Sequence, residues 1–457
     1  MMMKKYLNQT TNIIRDVTYI TDNTSASFAY SALKRKTDYF LFKPESHFGN
    51  NITLLKAIRK RLYEGYFGTE KHPENPFRNC KTPAEIFNLS RNIKFEIKMK
   101  LSRFGFVLLR NGEVNILHKE GSVIQNNINI QNISKEFIKN HELMIRNSAD
   151  SFEENKFNRY DYFLSAEMFE GIISANNYIQ KGISIPILGD RKVYTSYGVF
   201  NPTRQDYLHL FDSYLRDNIR DLKLNTSRCA DIGCGTGILS LIMSQYELPR
   251  IFAMDINENA VAATKSNAQA LGYFDNIKSV KFDIAEHYYT EKNSEKLNNI
   301  KIQSPNTKSE TSKAKTSLPD IEKYSQVLKD KNVDNNFDLI VCNPPWLNAN
   351  FVFSQTDLEN GIYDPNHKFL KSCFNFVKVH LNRNNPEARF VIIFSDLGSI
   401  LNINEPDVIE KLALEYKFKI TTKTSKTSEV KPSDGYDPLK NFKKESKVLL
   451  YELKRII

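Results

Sequence analysis

The chain reads as an α/β protein from about residue 186 onward, preceded by an α+β domain over residues 1–185, and three observations carry that reading. Beyond Ile185, short apolar segments alternate with amphipathic ones at the spacing of strands and helices. One apolar segment, 228–232, runs directly into a glycine-rich turn at Gly233, Gly235 and Gly237. Before Ile185 the alternation is missing, and short apolar stretches mix with basic ones such as Leu33-Lys34-Arg35-Lys36 and Ile58-Arg59-Lys60-Arg61-Leu62-Tyr63.

In the first region, Phe95, Ile97, Met99 and Leu101 alternate with lysines and a glutamate, a period of two that predicts a strand, although the flanking residues also allow a helix. Residues 105–110 and 114–118 flank Asn111-Gly112, the strongest short hairpin signal in the chain. The basic residues interleaved with aromatics fit either a nucleic-acid surface or the solvated faces of ordinary elements. In the second region the predicted strands are 228–232, 251–254, 280–284, 337–342 and 389–394. The predicted helices are 206–219, 238–245, 258–271 and one carrying Phe369, Cys373, Phe376, Val377, His380 and Leu381. Asn257 stands as the N-cap of the third helix and Gly272 just past its end. Residues 419–423 and 447–453 bracket the polar loop 431–435 and read as a terminal antiparallel pair. Residues 287–336, rich in Lys, Ser, Asn, Thr and Glu, read as a disordered insertion, with a short helix allowed near 321–328.

With 457 residues and 40% hydrophobic content, two or three domains can each bury a core. No apolar run approaches the roughly 18 residues of a membrane span, so no membrane partner is expected. Net charge is +11, which favours a polyanionic partner without requiring one. The five cysteines lack a CxxC spacing, and His287, His367 and His380 lack ligand spacing, so no metal site is expected. These features and the polar amino terminus fit a protein of the reducing cytoplasm.

Asp231-Ile232-Gly233-Cys234-Gly235-Thr236-Gly237 lies where a buried strand turns into a helix, and small residues there let the backbone approach a ligand. Asp255 ends the next strand, where a carboxylate can accept both hydroxyls of a ribose. A dinucleotide fingerprint is the competitor, but its last glycine falls where Ile238 stands. After the fourth strand comes Asn343-Pro344-Pro345-Trp346. Two prolines stiffen this turn, leaving the Asn343 side-chain oxygen and the Pro344 carbonyl as acceptors for an NH2 group, with Trp346 as a stacking face. The bland alternative is an ordinary strand-end turn.

On these residues, the chain from about 190 to 457 resembles the class I S-adenosylmethionine-dependent methyltransferases, in the subgroup whose fourth strand ends in Asn-Pro-Pro-aromatic. That subgroup includes adenine amino methyltransferases, ribosomal-RNA guanine N2-methyltransferases and release-factor glutamine methyltransferases. The resemblance implies a seven-stranded Rossmann-like sheet, mostly parallel with its last strand antiparallel, and S-adenosyl-L-methionine as cofactor. It implies that Gly233, Gly235 and Gly237 line the methionine part, that Asp255 holds the ribose, and that Asp283 approaches the adenine. Phe200, Arg204, Asp231, Cys234, Ile256 and Asn343 complete the expected cofactor site, and Asn343, Pro344, Pro345 and Trp346 the expected catalytic one. Tyr197-Gly198-Val199-Phe200-Asn201-Pro202-Thr203-Arg204 resembles a segment that covers the cofactor, and equally reads as a loop into the next helix. The pattern continues in Ile362-Tyr363-Asp364-Pro365 and Ser395-Asp396-Leu397. Trp346 departs from the usual Tyr or Phe, the insertion is long for this fold, and residues 1–185 match no known substrate domain. The expected activity is methylation of an amino or amide nitrogen of a macromolecule, first a nucleobase of ribosomal or transfer RNA. A protein glutamine is the alternative substrate, and a non-catalytic binding module the alternative class.

Overall fold

The computed structural model describes residues 13–14, 17–33, 39–43, 46–67, 75–108, 113–120, 123–129, 143–145, 161–196, 198–202, 204–284, 336–351, 361–429 and 437–456. The insertion expected at 287–336 lies outside them except for Asn336, as do Lys34 to Lys36, Asn111-Gly112 and the loop 431–435. The chain forms two compact units that divide near residue 176. No helix among the described residues is long and apolar enough to cross a membrane.

The first unit is built on an eight-stranded mixed sheet. Phe40, Phe42, Phe104, Phe106 and Phe169 are fully buried in it, and the rings of Phe106 and Phe169 meet edge-on at 4.9 Å. The strands Phe104–Leu108 and Glu113–Glu120 pair antiparallel, with Val107 opposite Asn115, as the hairpin signal predicts. The strand predicted over 95–101 is instead the end of a helix, Pro83–Leu101. Its buried residues Phe87, Ser90, Ile93, Ile97 and Leu101 recur at intervals of three and four, whereas Met99 is exposed. Four alternating residues are too short a window to distinguish the two periods.

The second unit carries a seven-stranded sheet of β1 (Cys229–Ile232), β2 (Ile251–Asp255), β3 (Ile277–Lys281), β4 (Leu339–Cys342), β5 (Arg389–Ser395), β6 (Phe418–Thr427) and β7 (Lys447–Arg455). Their order is β3-β2-β1-β4-β5-β7-β6. Neighbours from β3 to β5 are parallel, and β7 runs antiparallel to both β5 and β6. The helices that matter for the site are α1 (Asp206–Asn225), α2 (Ile238–Gln245), α3 (Glu258–Ala270), α4 (Lys368–His380) and the single turn α5 (Leu397–Ile400). Because side chains alternate along a strand, the sheet feeds two apolar layers. Ala230, Ile232, Met254, Ile340, Phe390 and Ile392 pack with Phe374, Phe376 and Val377 of α4. Cys229, Ile251, Ala253, Val341, Val391 and Ile393 pack with Phe211 and Leu215 of α1 and Leu241 of α2. Cys342 and Cys373, both fully buried, bring their sulfurs within 3.6 Å.

β3 begins and ends three residues earlier than predicted. Phe282 N–H still donates to the Asp255 carbonyl at 2.9 Å, but Phe282 and Ile284 lie beyond the strand and remain buried, so the apolar alternation at 280–284 runs past the strand's end. The chain leaves β1 toward β2 and β3 on one side and fills β4 and β5 on the other. The crevice above the carboxyl ends of β1 and β4 is therefore the switch point where open α/β sheets bind ligands.

Candidate active site

A cavity of about 420 Å³ opens at that switch point. Its floor is the glycine turn, which hangs from β2: Gly233 N–H and Cys234 N–H both donate to the Met254 carbonyl, at 2.8 and 3.0 Å. Gly233, Gly235 and Gly237 all have positive φ (69°, 56° and 80°), a backbone that side chains other than glycine rarely adopt. Space separates their roles. A methyl at Gly235 would point into open space, while one at Gly237 would stand 2.7 Å from Thr264 Cγ2. Gly233 and Gly235 line the cavity, whereas Gly237 lies off it and lets α3 pack beneath the turn. Thr264 completes that packing by donating its hydroxyl to the Gly235 carbonyl at 3.1 Å.

Two carboxylates flank the turn. Asp255 Oδ2 accepts Gly235 N–H at 3.0 Å and Oδ1 accepts Asn257 N–H at 2.9 Å, so the acid at the end of β2 also braces the glycine turn. Asp231 is buried to 1% exposure, and its Oδ2 accepts the amide and hydroxyl of Ser240 at 3.1 and 2.7 Å. Its Oδ1 is buried without a partner, in a residue that lines the cavity. Burial pushes this carboxyl up to about 6, the charge of Asp255 adds to the shift, and the Ser240 donors oppose it. A ligand ammonium at Oδ1 would complete the set, and the residues present therefore fit the amino acid end of S-adenosylmethionine.

Facing them, Asn343, Pro344, Pro345 and Trp346 leave β4 along the opposite wall. The sequence predicts Asn343 Oδ1 wholly open to a ligand, but it accepts the Trp346 indole N–H at 3.0 Å, and one lone pair remains. No described residue donates to the Pro344 carbonyl. The Arg204 guanidinium covers one face of the Trp346 ring, 4.8 Å from its centroid. Arg204 is in turn held by the fully buried carboxylate of Asp206. Burial alone would raise the Asp206 carboxyl, but donors from Arg204, Glu429 N–H and Tyr207 N–H hold it below its ordinary value.

The structure thus gathers Phe200, Arg204, Asp231, Gly233, Cys234, Gly235, Asp255, Ile256 and the whole 343–346 turn around one cavity. Asp283 is not among its lining residues: the chain leaves β3 at Lys281 and turns Phe282 into the core. Gly198, Val199 and Phe200 line the cavity, and Asn257 Nδ2 ties that segment down through the Gly198 carbonyl at 3.1 Å, while Tyr197 and Thr203 lie outside the described residues. The sequence signalled Asn257 only as a cap. Ile362, Phe369 and Leu397 also line the cavity. Two of them sit in segments that continue the family pattern, but only the fold shows that all three reach the site.

The strand order, the glycine turn after β1 and the carboxylate ending β2 give the second unit the fold of the class I S-adenosylmethionine-dependent methyltransferases. Within that class, residues 203–300 match the family described as "Ribosomal protein L11 methyltransferase (PrmA)". Over 72 residues the chain is 39% identical to the ribosomal protein L11 methyltransferase of Acetivibrio thermocellus, a stretch that covers 16% of this chain and 20% of that relative. The chain thus spans about a fifth of the length of the curated relative it matches. Similar solved structures include an RNA methyltransferase candidate of Pyrococcus horikoshii, at 15% identity and a TM-score of 0.34 over 60% of this chain and 98% of the other. Another is the ribosomal protein L11 methylase of Lactobacillus delbrueckii subsp. bulgaricus, at 16% identity and a TM-score of 0.31 over 59% of this chain and 87% of the other.

Proposed function

We propose that this chain transfers a methyl group from S-adenosylmethionine to an amino or amide nitrogen of a macromolecule, first of all a nucleobase in RNA. The observation that carries this reading is that the Asn343 turn opens into the same cavity as the unpaired Asp231 oxygen. When bound, S-adenosylmethionine supplies an electrophilic methyl group on a sulfonium. Asp231 would hold its ammonium and Asp255 its ribose hydroxyls. The remaining lone pair of Asn343 Oδ1 and the Pro344 carbonyl would accept the two hydrogens of a substrate NH2, aiming the nitrogen lone pair at the methyl group. With Arg204 over one face of Trp346, a planar substrate stacks on the opposite face or against the guanidinium itself. Rate comes from positioning and fixed dipoles, and the methylated nitrogen releases its proton to water.

A second reading, transfer to a protein nitrogen, is favoured by the match of residues 203–300 to a ribosomal protein methyltransferase family. Part of the basic run that suggested RNA is also paired internally. Arg59 meets Glu170 at 2.5 Å, and Lys60 meets Glu64 at 3.9 Å. Incubation of ribosomal subunits with methyl-labelled S-adenosylmethionine, followed by separation of RNA from protein, decides between the two. Label in RNA supports the first reading, label in protein the second, and label in neither, with bound cofactor measured by calorimetry, counts against both.

A further inference from the structure

The Asn343 turn is braced from outside by a side chain that the methylation chemistry does not itself require. Asn404, only 5% exposed, donates from Nδ2 to the Trp346 carbonyl and accepts Asn348 N–H at Oδ1, both at 2.8 Å. One amide orientation satisfies both bonds, because a carbonyl faces the nitrogen and an N–H faces the oxygen. The side chain therefore takes the place of a neighbouring strand's peptide across residues 346–348.

Room for that amide exists because residue 398 is glycine. A methyl at Gly398 would stand 2.2 Å from Asn404 Cγ and Nδ2. Ile403 N–H and Asn404 N–H both donate to the Gly398 carbonyl, at 2.9 and 3.0 Å, folding the segment back on α5, whose first residue Leu397 lines the cavity. From the other side, Asp364 N–H donates to the Leu347 carbonyl, and Asn366 N–H to Asn348 Oδ1, both at 2.8 Å. The exit of the turn is clamped between two segments, one of them through a single buried side chain.

We infer that Asn404, seated against Gly398, is a positioning residue that fixes where Trp346 and Asn343 stand and so sets the capture and alignment of the substrate nitrogen. The inference rests on the proposed function for its catalytic consequence, but the bracing itself can be read without any substrate. Trp346 is the only tryptophan in the chain, so its fluorescence reports on this turn alone.

Two variants of the full chain test it. Asn404→Asp keeps the acceptor for Asn348 and removes the donor to Trp346. Gly398→Ala keeps Asn404 and puts a methyl where its amide stands. Each should shift Trp346 emission to longer wavelength and raise its quenching by acrylamide, with far-UV circular dichroism unchanged. The S-adenosylmethionine dissociation constant should stay within about threefold, while turnover on labelled ribosomal substrate falls about tenfold or more, the scale of a misplaced reacting group. Unchanged emission and quenching in both variants overturns the inference. Loss of cofactor affinity in step with turnover overturns it too, as does unfolding of both variants, since a local brace leaves the domain standing. If the wild type transfers no methyl group at all, the functional reading fails, and Trp346 emission still decides whether Asn404 braces the turn.

Discussion

On the β1–β2 side of the cavity, Asp231 spends one carboxylate oxygen on Ser240 and leaves the other buried without a partner, and Asp255 braces Gly235 and Asn257 while lining the cavity. On the β4 side, Asn343 already accepts the indole of Trp346, whose carbonyl is taken by Asn404. The first wall offers a buried acceptor that, under the proposed function, receives a charged group. The second is built as a rigid edge, whose value lies in shape and in the few acceptors that its own bonding leaves over. A substitution on the receptor side should therefore appear in ligand affinity, and one on the edge in turnover.

The largest expected effect lies on the receptor side. Asp255→Ala should weaken S-adenosylmethionine binding by about 2 to 4 kcal/mol in calorimetry, because two ribose hydroxyls and two backbone donors lose one acceptor group. Unchanged affinity would reduce Asp255 to a brace. Asn343→Ala should lower turnover by about a hundredfold while cofactor affinity stays within a few-fold, the scale of a lost positioned hydrogen-bonding group. Collapse of cofactor binding in that variant would erase the distinction between the walls. Next in size, Trp346→Ala should weaken substrate capture by about 1 to 3 kcal/mol, with Trp346→Phe recovering much of it, in the Michaelis constant for the labelled substrate.

The smallest effect is a pH dependence. Burial raises the Asp231 carboxyl to about 6, so between the ordinary carboxylate range and that pH the folded chain holds a proton that the unfolded chain has released. The free protein should lose stability as pH rises through this window. Binding of an ammonium requires the carboxylate, so cofactor affinity should instead rise by about fivefold from pH 5 to 6, reach about tenfold by pH 7 and level off above. Asp231→Asn should flatten both curves, and a slope that survives it would assign the titration elsewhere.

Much of the second unit was legible because its central strands β1, β4 and β5 are buried on both faces and a helix such as α3 on one, which writes both periods into the chain. The same signal misled at 280–284, where Phe282 and Ile284 are buried beyond the end of β3, and at 95–101, where a helix face passes briefly for alternation. The glycine turn and the Asn343 turn were legible because each concentrates unusual backbone chemistry in a few consecutive residues. The contact of Arg204 with Trp346, the sharing of Asn343 Oδ1 and the Asn404 clamp were not. Most of these join residues far apart in sequence, through side chains that carry no local mark, and only the fold brings them together.

All five cysteines are free thiols, and their distribution lets chemistry time the opening of the second unit. Cys229 begins β1, Cys234 sits inside the glycine turn, and Cys342 at the end of β4 touches Cys373 on α4; all four are buried, while Cys80 is partly exposed. A thiol reagent attacks only a thiolate that it can reach, and burial pushes the thiols of Cys229, Cys234 and Cys342 up. Their modification can then run no faster than the strands and turns around them part, with Cys80 as the internal standard. Read by mass, the order in which the four react ranks the local stability of each wall, and a ligand that fills the cavity should delay Cys234 and Cys342 more than Cys229.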